Sequence, residues 1–295
     1  MARTMLFGST GQLGVELVRL LTGKIDLVAL SRTDVDLTDS TAIRAAIQAA
    51  QPQVILNAAA YTAVDRAESE PELARAVNTA APGIMAEEAQ RANAWLIHFS
   101  TDYVFDGTGT RPWEETDAPH PLNVYGATKL EGEQAIAATG CRHLIFRTSW
   151  VYSSHGNNFL RTMLRLGAQR PSLSIVNDQT GTPTSAGELA RATESILERI
   201  QDAQSTPLES GIYHMTCAGS TTWFGFAEAI FAAMAGQSPT PALVPIPSEQ
   251  YPTPAVRPRN SILNCKKLES AFGVRLSPWQ KALEDVIAEI KNIER

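Results

Sequence analysis

The chain has 295 residues, a formal net charge of −6 and 44% hydrophobic content, an ordinary globular composition with enough apolar residues for a full core. The acidic balance excludes a nucleic-acid backbone or an anionic membrane surface as the general partner, because like charges repel. The three cysteines (Cys141, Cys217, Cys265) form no C-x-x-C pair and the five histidines show no metalloprotease spacing, so neither a disulfide framework nor a zinc site is expected.

Taken in chain order, the first half alternates in type. Thr4–Phe7 is a short apolar strand followed by a glycine-rich turn, and Gln12–Leu21 carries apolar residues at helical spacing (Leu13, Leu17, Val18, Leu21). Leu27–Leu30 is the next strand, and Ile43–Ala50 a helix with Thr38 or Asp39 placed to cap it. Val54–Ala58 is a continuous apolar run, as in a strand covered on both faces. Pro71–Asn93 is predicted helical, Trp95–Phe99 a strand, Tyr125–Ala138 a helix and His143–Arg147 a strand. Repeated β-α-β units predict a doubly wound parallel sheet, an α/β fold. The second half is less regular, with Pro- and Gly-rich loops at Gln179–Gly187 and Pro239–Pro258 between helices at Thr222–Ala235 and Ser277–Ile290. This shift near residue 150 divides the chain into 1–148, a nucleotide-binding domain, and 149–295, mainly a smaller lobe with some segments returning to the first. No apolar run reaches the ~18 residues of a membrane span, and the N-terminus enters a strand without a signal-peptide pattern, so a cytoplasmic protein is expected.

Three motifs carry chemistry. In Gly8-Ser-Thr-Gly11-Gln12-Leu13-Gly14, Gly8 permits the sharp turn out of the strand. Gly11 removes a Cβ where a pyrophosphate would approach, and Gly14 allows close helix–sheet contact. The helix start then offers free N–H groups and a positive dipole end. At the end of the second strand, where an NAD site usually has a carboxylate, stand Ser31 and Arg32. A hydroxyl and a guanidinium suit the 2′-phosphate of NADP, so NADPH is favoured, with NADH still open. Tyr125-Gly-Ala-Thr-Lys129 puts a phenol and an amine on one helix face, where an ammonium is expected to lower the phenol pKa. Thr101 lies just past the carboxyl end of a strand, where open α/β sheets bind ligands, and its hydroxyl would bond both a substrate oxygen and Tyr125.

Together with Asn57-Ala-Ala-Ala60, Ser100-Thr-Asp-Tyr-Val-Phe-Asp-Gly107, Phe146-Arg-Thr-Ser-Trp-Val-Tyr152 and Tyr251-Pro-Thr-Pro254, these motifs resemble the extended short-chain dehydrogenases and, within them, the dTDP-4-dehydrorhamnose reductases. The resemblance spans essentially the whole chain. It implies a Rossmann-type domain and NADPH-dependent reduction of the 4-keto group of a dTDP-sugar, in dTDP-rhamnose synthesis. It implies that Gly11, Gln12 and Leu13 line the pyrophosphate, that Asp36 and Leu37 touch the adenine, and that Ala60, Tyr61 and Thr62 run along the cofactor. Tyr125 would be the proton donor and Lys129 its partner; Thr101 and Asp102 would touch the sugar, and Trp150 would pack on the sugar nucleotide. Arg257, Arg259, Lys266 and Lys267 are candidates for holding its diphosphate. Some members pair as homodimers around a structural Mg²⁺ held by glutamates. Glu16 and Glu188 stand at similar positions, but solvated roles weigh as much for both, so no metal ligand is assigned. Two competing readings stay open: an epimerase or dehydratase with bound NAD, and a non-catalytic NADP-binding regulatory subunit.

Overall fold

A computed structural model describes residues 3–202, 208–236 and 240–293. Strand β1 (Arg3–Phe7) leads into α1 (Gln12–Leu21), followed by β2 (Asp26–Leu30), α2 (Ser40–Ala50), β3 (Val54–Asn57), α3 (Val64–Ala67), α4 (Pro71–Arg75) and α5 (Ala81–Ala92). Then come β4 (Trp95–Thr101), α6 (Val124–Ala138), β5 (Arg142–Thr148), β6 (Val151–Tyr152), α7 (Phe159–Gly167), β7 (Ser172–Val176), β8 (Thr180–Gly181) and β9 (Thr184–Ser185). The chain continues through α8 (Ala186–Gln201), β10 (Gly211–His214), β11 (Thr221–Thr222), α9 (Trp223–Ala233), β12 (Ala242–Ile246), α10 (Lys266–Phe272) and α11 (Trp279–Ile293).

Six strands form one sheet in the order β10-β5-β4-β3-β1-β2, and every pairing in it is parallel. The fold is the expected Rossmann-type doubly wound sheet, with helices on both faces. Successive side chains of a strand face opposite ways. Leu6, Leu56, Ile97 and Phe146 therefore enter one core with residues of α1, α8, α9 and α11. Met5, Phe7, Ile55 and Ile145 enter the other with residues of α2 and α5. Among the described residues no helix is long and apolar enough to cross a membrane.

Several predicted bounds move. Asp39 is the cap of α2, accepting from the Thr41 and Ala42 amides at 2.8 and 3.0 Å. The helix predicted over 71–93 is interrupted by a π-helical turn at Ala76–Ala80. Pro82 explains the break, since it has no N–H to give the Asn78 carbonyl. That exposed carbonyl meets α6, where a Cβ on Gly132 would fall 2.1 Å from the Asn78 oxygen. In the second half, helices α7 and α8 were not anticipated, nor was β10. The Pro- and Gly-rich stretches expected as loops also hold short strands: β8 and β9 lie within 179–187. Within 239–258, β12 pairs in parallel with β7, while Pro239 itself lies outside the described residues.

Helix α6 is fastened to the sheet by ionic contacts. Arg147 of β5 and Glu133 of α6 are both buried and form a bidentate pair, at 2.9 and 2.6 Å. The Ser100 hydroxyl of β4 donates to the same carboxylate at 2.5 Å, and the guanidinium lies over the Phe105 ring at 5.0 Å. Removing one partner of a buried pair strands the other charge, at a cost of about 3–5 kcal/mol. Glu133→Ala should therefore lower the unfolding free energy read from chemical denaturation by that much, moving the midpoint to lower denaturant, and Glu133→Gln, which keeps the shape and one acceptor, by less. An unchanged midpoint for Glu133→Ala would show that the pair does not hold the helix.

Candidate active site

The site is built where β1, β3 and β4 end. Gly8 has φ +83°, a conformation open to glycine, and a Cβ there would lie 2.7 Å from the Ala59 nitrogen. A Cβ on Gly14 would lie 2.0 Å from the Gly8 carbonyl oxygen, so α1 packs directly onto the turn. A Cβ on Gly11 would meet no described atom closer than 3.4 Å. Gly11 is the N-cap of α1, and no side chain caps the helix. The first amides of α1 are thus left for a ligand, and an anion such as a pyrophosphate suits them in charge and in shape. Gln12 contributes otherwise: its side-chain oxygen accepts from Ser153 at 3.0 Å and Asn158 at 2.8 Å, joining this turn to the second half of the chain.

Ser31 does not stand as a free hydroxyl. It donates to Asp34 at 2.6 Å, and its backbone amide donates to the same carboxylate at 2.7 Å. Arg32 is exposed, and among the described residues its charge acts on Asp36, whose pKa is lowered by the Thr38 amide and hydroxyl and, less, by Arg32, without a contact-distance ion pair. Asp36 is held in a turn by the Thr38 amide and hydroxyl, both at 2.9 Å, and Leu37 packs against the core beneath α2. Beyond β3, Ala60, Tyr61 and Thr62 lie in a segment without regular secondary structure. The Asn78 side chain clamps it, accepting from the Tyr61 amide at 2.8 Å and donating to the Tyr61 carbonyl at 3.1 Å. The Tyr61 hydroxyl donates to Glu70. Asn78 also donates to the Thr128 hydroxyl of α6 at 3.2 Å. Sequence reasoning missed it because its clamp depends on the π-turn.

Helix α6 begins with Asn123 as its cap, accepting from the Gly126 amide at 2.8 Å. A Cβ on Gly126 would come within 2.2 Å of the Tyr103 carbonyl oxygen, so glycine here lets the first turn of α6 press against the 3-10 turn Asp102–Val104. That contact brings Tyr125 to the end of β4. Its ring meets Tyr103 edge-on, with centroids 5.6 Å apart. The phenol pKa is pushed up to about 12, chiefly by the packing around it, with the nearby Thr101 side chain acting the other way. This corrects the expectation of a lowered value. The reason is where the amine goes: Lys129 Nζ is buried and donates to the Phe99 carbonyl at 2.6 Å, with His98 Nε2 at 3.1 Å. Burial lowers the Lys129 pKa to about 8, and Glu133 opposes the shift.

Asp102 is buried beside Thr101, whose hydroxyl donates to Oδ1 at 3.1 Å, while Oδ2 has no hydrogen-bond partner. Burial raises its pKa to about 7, with hydrogen bonds from Ser261 and Thr101 opposing. Beyond β5, Trp150 takes a left-handed backbone with φ +48° and stacks on Trp223, ring centroids 3.5 Å apart and planes 9° off parallel. The ring also covers Gly181, where a Cβ would lie 2.5 Å from it. Trp223 was not among the expected site residues.

The candidate cations are largely committed elsewhere. Arg257 pairs with Asp65 at 2.8 Å and Arg259 with Glu249 at 2.5 Å. Lys267 donates to the Ile212 carbonyl on β10 at 2.7 Å, and Lys266 opens α10. Glu16 and Glu188 are each bonded to an arginine one turn along their own helix, Arg19 and Arg191. Among the described residues no group of three or more His, Cys, Asp or Glu side chains could hold a metal ion, so the glutamates give no support to a Mg²⁺ site.

A carboxyl whose folded pKa lies above its unfolded value is stabilising while protonated and loses that stability as pH rises between the two values. For Asp102 the window runs from its ordinary 3.8 to about 7. Asp102→Asn removes this titration. The melting temperature of the variant relative to the parent should therefore rise between pH 4 and pH 7; a difference independent of pH would show that Asp102 is ionised throughout.

Comparisons with known proteins give the family. The protein-family model for the RmlD substrate binding domain matches residues 2–292. The dTDP-4-dehydrorhamnose reductase of Salmonella typhimurium is 45% identical over 293 residues, 97% of each chain. A crystal structure of the Bacillus anthracis dTDP-4-dehydrorhamnose reductase in complex with NADP superposes with a TM-score of 0.91 at 33% identity, covering 98% of this chain and 99% of that one. The Clostridium acetobutylicum dTDP-4-dehydrorhamnose reductase gives 0.90 at 36% identity, with 98% and 99% covered. With the likeness running from end to end, the chain belongs to the dTDP-4-dehydrorhamnose reductase family.

Proposed function

We propose that the chain reduces the 4-keto group of dTDP-4-dehydro-β-L-rhamnose to give dTDP-β-L-rhamnose, with NADPH as reductant and Tyr125 as proton donor. What supports this reading is that Thr101 and Tyr125 stand at the end of β4, with Lys129 one turn along α6 and an uncapped α1 N-terminus after β1, in a member of this family. The substrate follows from what the relatives are named for, and the choice of cofactor is supported by the NADP in the Bacillus anthracis relative.

The bound nicotinamide would supply a hydride to the carbonyl carbon. The protein's part is to hold the reactants and to move one proton. A phenol with its pKa pushed up to about 12 stays protonated through the neutral range, so Tyr125 meets the ketone as a loaded general acid. Its proton passes to the oxygen as negative charge gathers there. Thr101, at the end of β4, would fix the direction of the hydroxyl. Lys129 then faces the phenolate that remains. Asp102, protonated below about pH 7, would be a hydrogen-bond donor to the sugar rather than a repelling charge. The stacked Trp150 and Trp223 would offer a flat apolar wall to the sugar nucleotide. In this arrangement residues 1–148 hold the cofactor and residues 149–295 mainly the sugar nucleotide.

The direct test is to mix the protein with the 4-keto sugar nucleotide and NADPH and follow both cofactor absorbance and product. Stoichiometric cofactor loss with the rhamnosyl product is expected. Product without cofactor loss would indicate an epimerase, and cofactor binding without turnover a regulatory subunit. Tyr125→Phe should bind NADPH with unchanged affinity and lose about a hundredfold or more in kcat, the usual weight of a general acid; unchanged kcat would remove Tyr125 from the chemistry. Arg32→Asp should shift the ratio of kcat/KM for NADPH over NADH by about tenfold or more toward NADH, the worth of one charge-assisted bond to a phosphate. An unchanged ratio would place the 2′-phosphate elsewhere.

A further inference from the structure

Beneath Lys129 lies a chain of buried hydrogen bonds that the reduction described above does not use. The Ala59 amide donates to Asn57 Oδ1 at 3.2 Å. That bond fixes the Asn57 side chain, so its Nδ2 is the atom turned toward His98 Nδ1, 3.0 Å away. An amide NH₂ only donates, so His98 Nδ1 must be the acceptor. The ring is fully buried in β4 and stays neutral, since burial and the nearby Lys129 hold its pKa well below the usual histidine range. A neutral imidazole carries one proton; with Nδ1 bare it sits on Nε2. His98 Nε2 lies 3.1 Å from Lys129 Nζ. An N–H pointed at that nitrogen opposes an ammonium and finds its acceptor in the lone pair of a neutral amine.

We propose that His98 is a positioning residue which, locked by Asn57 as the Nε2–H tautomer, donates into the Lys129 lone pair and stabilises the neutral amine left when Lys129 passes a proton to the Tyr125 phenolate. The inference rests on the reading of Tyr125 as proton donor and extends it to the recharging of that donor. In balance, Tyr125 loses its proton to the substrate oxygen, Lys129 as ammonium gives one to the phenolate, and the amine regains its proton from solvent. The neutral amine is then fully engaged: one N–H goes to the Phe99 carbonyl, the lone pair takes the His98 N–H, and one N–H remains for a ligand. The other charged groups around the amine come from α6, β5 and the turn after β4. Glu133 lies one helical turn along and favours the ammonium, but Arg147 neutralises it. Asp102 closes the far side of Tyr125. His98 thus adds to burial in tipping the amine toward its neutral form.

The tautomer can be observed without any turnover. In protein labelled with ¹⁵N-histidine, the buried His98 ring should show a protonated Nε2 and a bare Nδ1 from pH 6 to 9. A protonated Nδ1 would overturn the proposal, and this result holds whether or not the chain is a reductase. Asn57→Asp replaces the donor with a carboxylate, which should draw the proton onto Nδ1 and leave a bare Nε2 to accept from an ammonium. In that variant the inflection of kcat assigned to Lys129 should move up by at least one pH unit and kcat at neutral pH should fall. A swapped tautomer with an unmoved inflection would also overturn the proposal. If instead the parent shows the Nε2–H form while Tyr125→Phe turns over normally, it is the reductase assignment of Tyr125 that has failed.

Discussion

The buried pair of Glu133 and Arg147 is the contact on which the geometry of the site depends. Helix α6 carries both Tyr125 and Lys129, and it touches the sheet through few large apolar groups; its buried face includes Thr128, Lys129 and Glu133. A helix with so polar an inner face cannot be held by apolar burial alone. The bidentate bond to β5, with Ser100 of β4 on the same carboxylate, supplies direction as well as attraction. It fixes the rotation of α6 about its axis, and with it the reach of the phenol.

A second constraint acts from the other side. The turn after β1 is so tightly packed that Gly8 abuts Ala59 and Gly14 abuts Gly8. Ala59 is also the residue that orients Asn57, whose amide orients His98. The loop that would cradle the dinucleotide and the amine that faces the phenol are therefore joined through one short run of backbone after β3. In a packed interior small displacements are not absorbed locally, so a change of size at Ala59 would be felt at both ends.

Much of this was legible in the sequence, and the failures have physical causes. The α/β alternation, the glycine turn and the Tyr–Lys spacing are local patterns, and α1 falls on the predicted residues. Helix α8 has a start signal in Ser185 and Glu188, a Ser-x-x-Glu pair ahead of an apolar run, but the Pro and Gly residues around that start carry the opposite, loop-like signal. Strand β10 is four residues long, too short for a periodic signal, and its place beside β5 is set by tertiary pairing. The Tyr–Lys spacing correctly put the two residues on one face, but spacing says nothing of a competing carbonyl. The Phe99 oxygen and His98 claim the amine, and burial then sets the direction of the phenol shift. The hydroxyl of Ser31 is likewise engaged by a neighbour, Asp34, that the motif itself does not show. Glu133 and Arg147 carry no motif at all; a long-range pair between two buried charges becomes visible only when helix and strand are brought together.

The stack of Trp150 on Trp223 has a consequence of a different kind. Two indoles lying nearly parallel at this separation couple their electronic transitions, so their absorption and circular dichroism are properties of the pair. One ring belongs to the turn after β5 and the other to the first residue of α9, so any event that slides those two elements apart changes the optical signal. The protein thus carries, without any added label, a chromophore that reports on the wall of its own cleft.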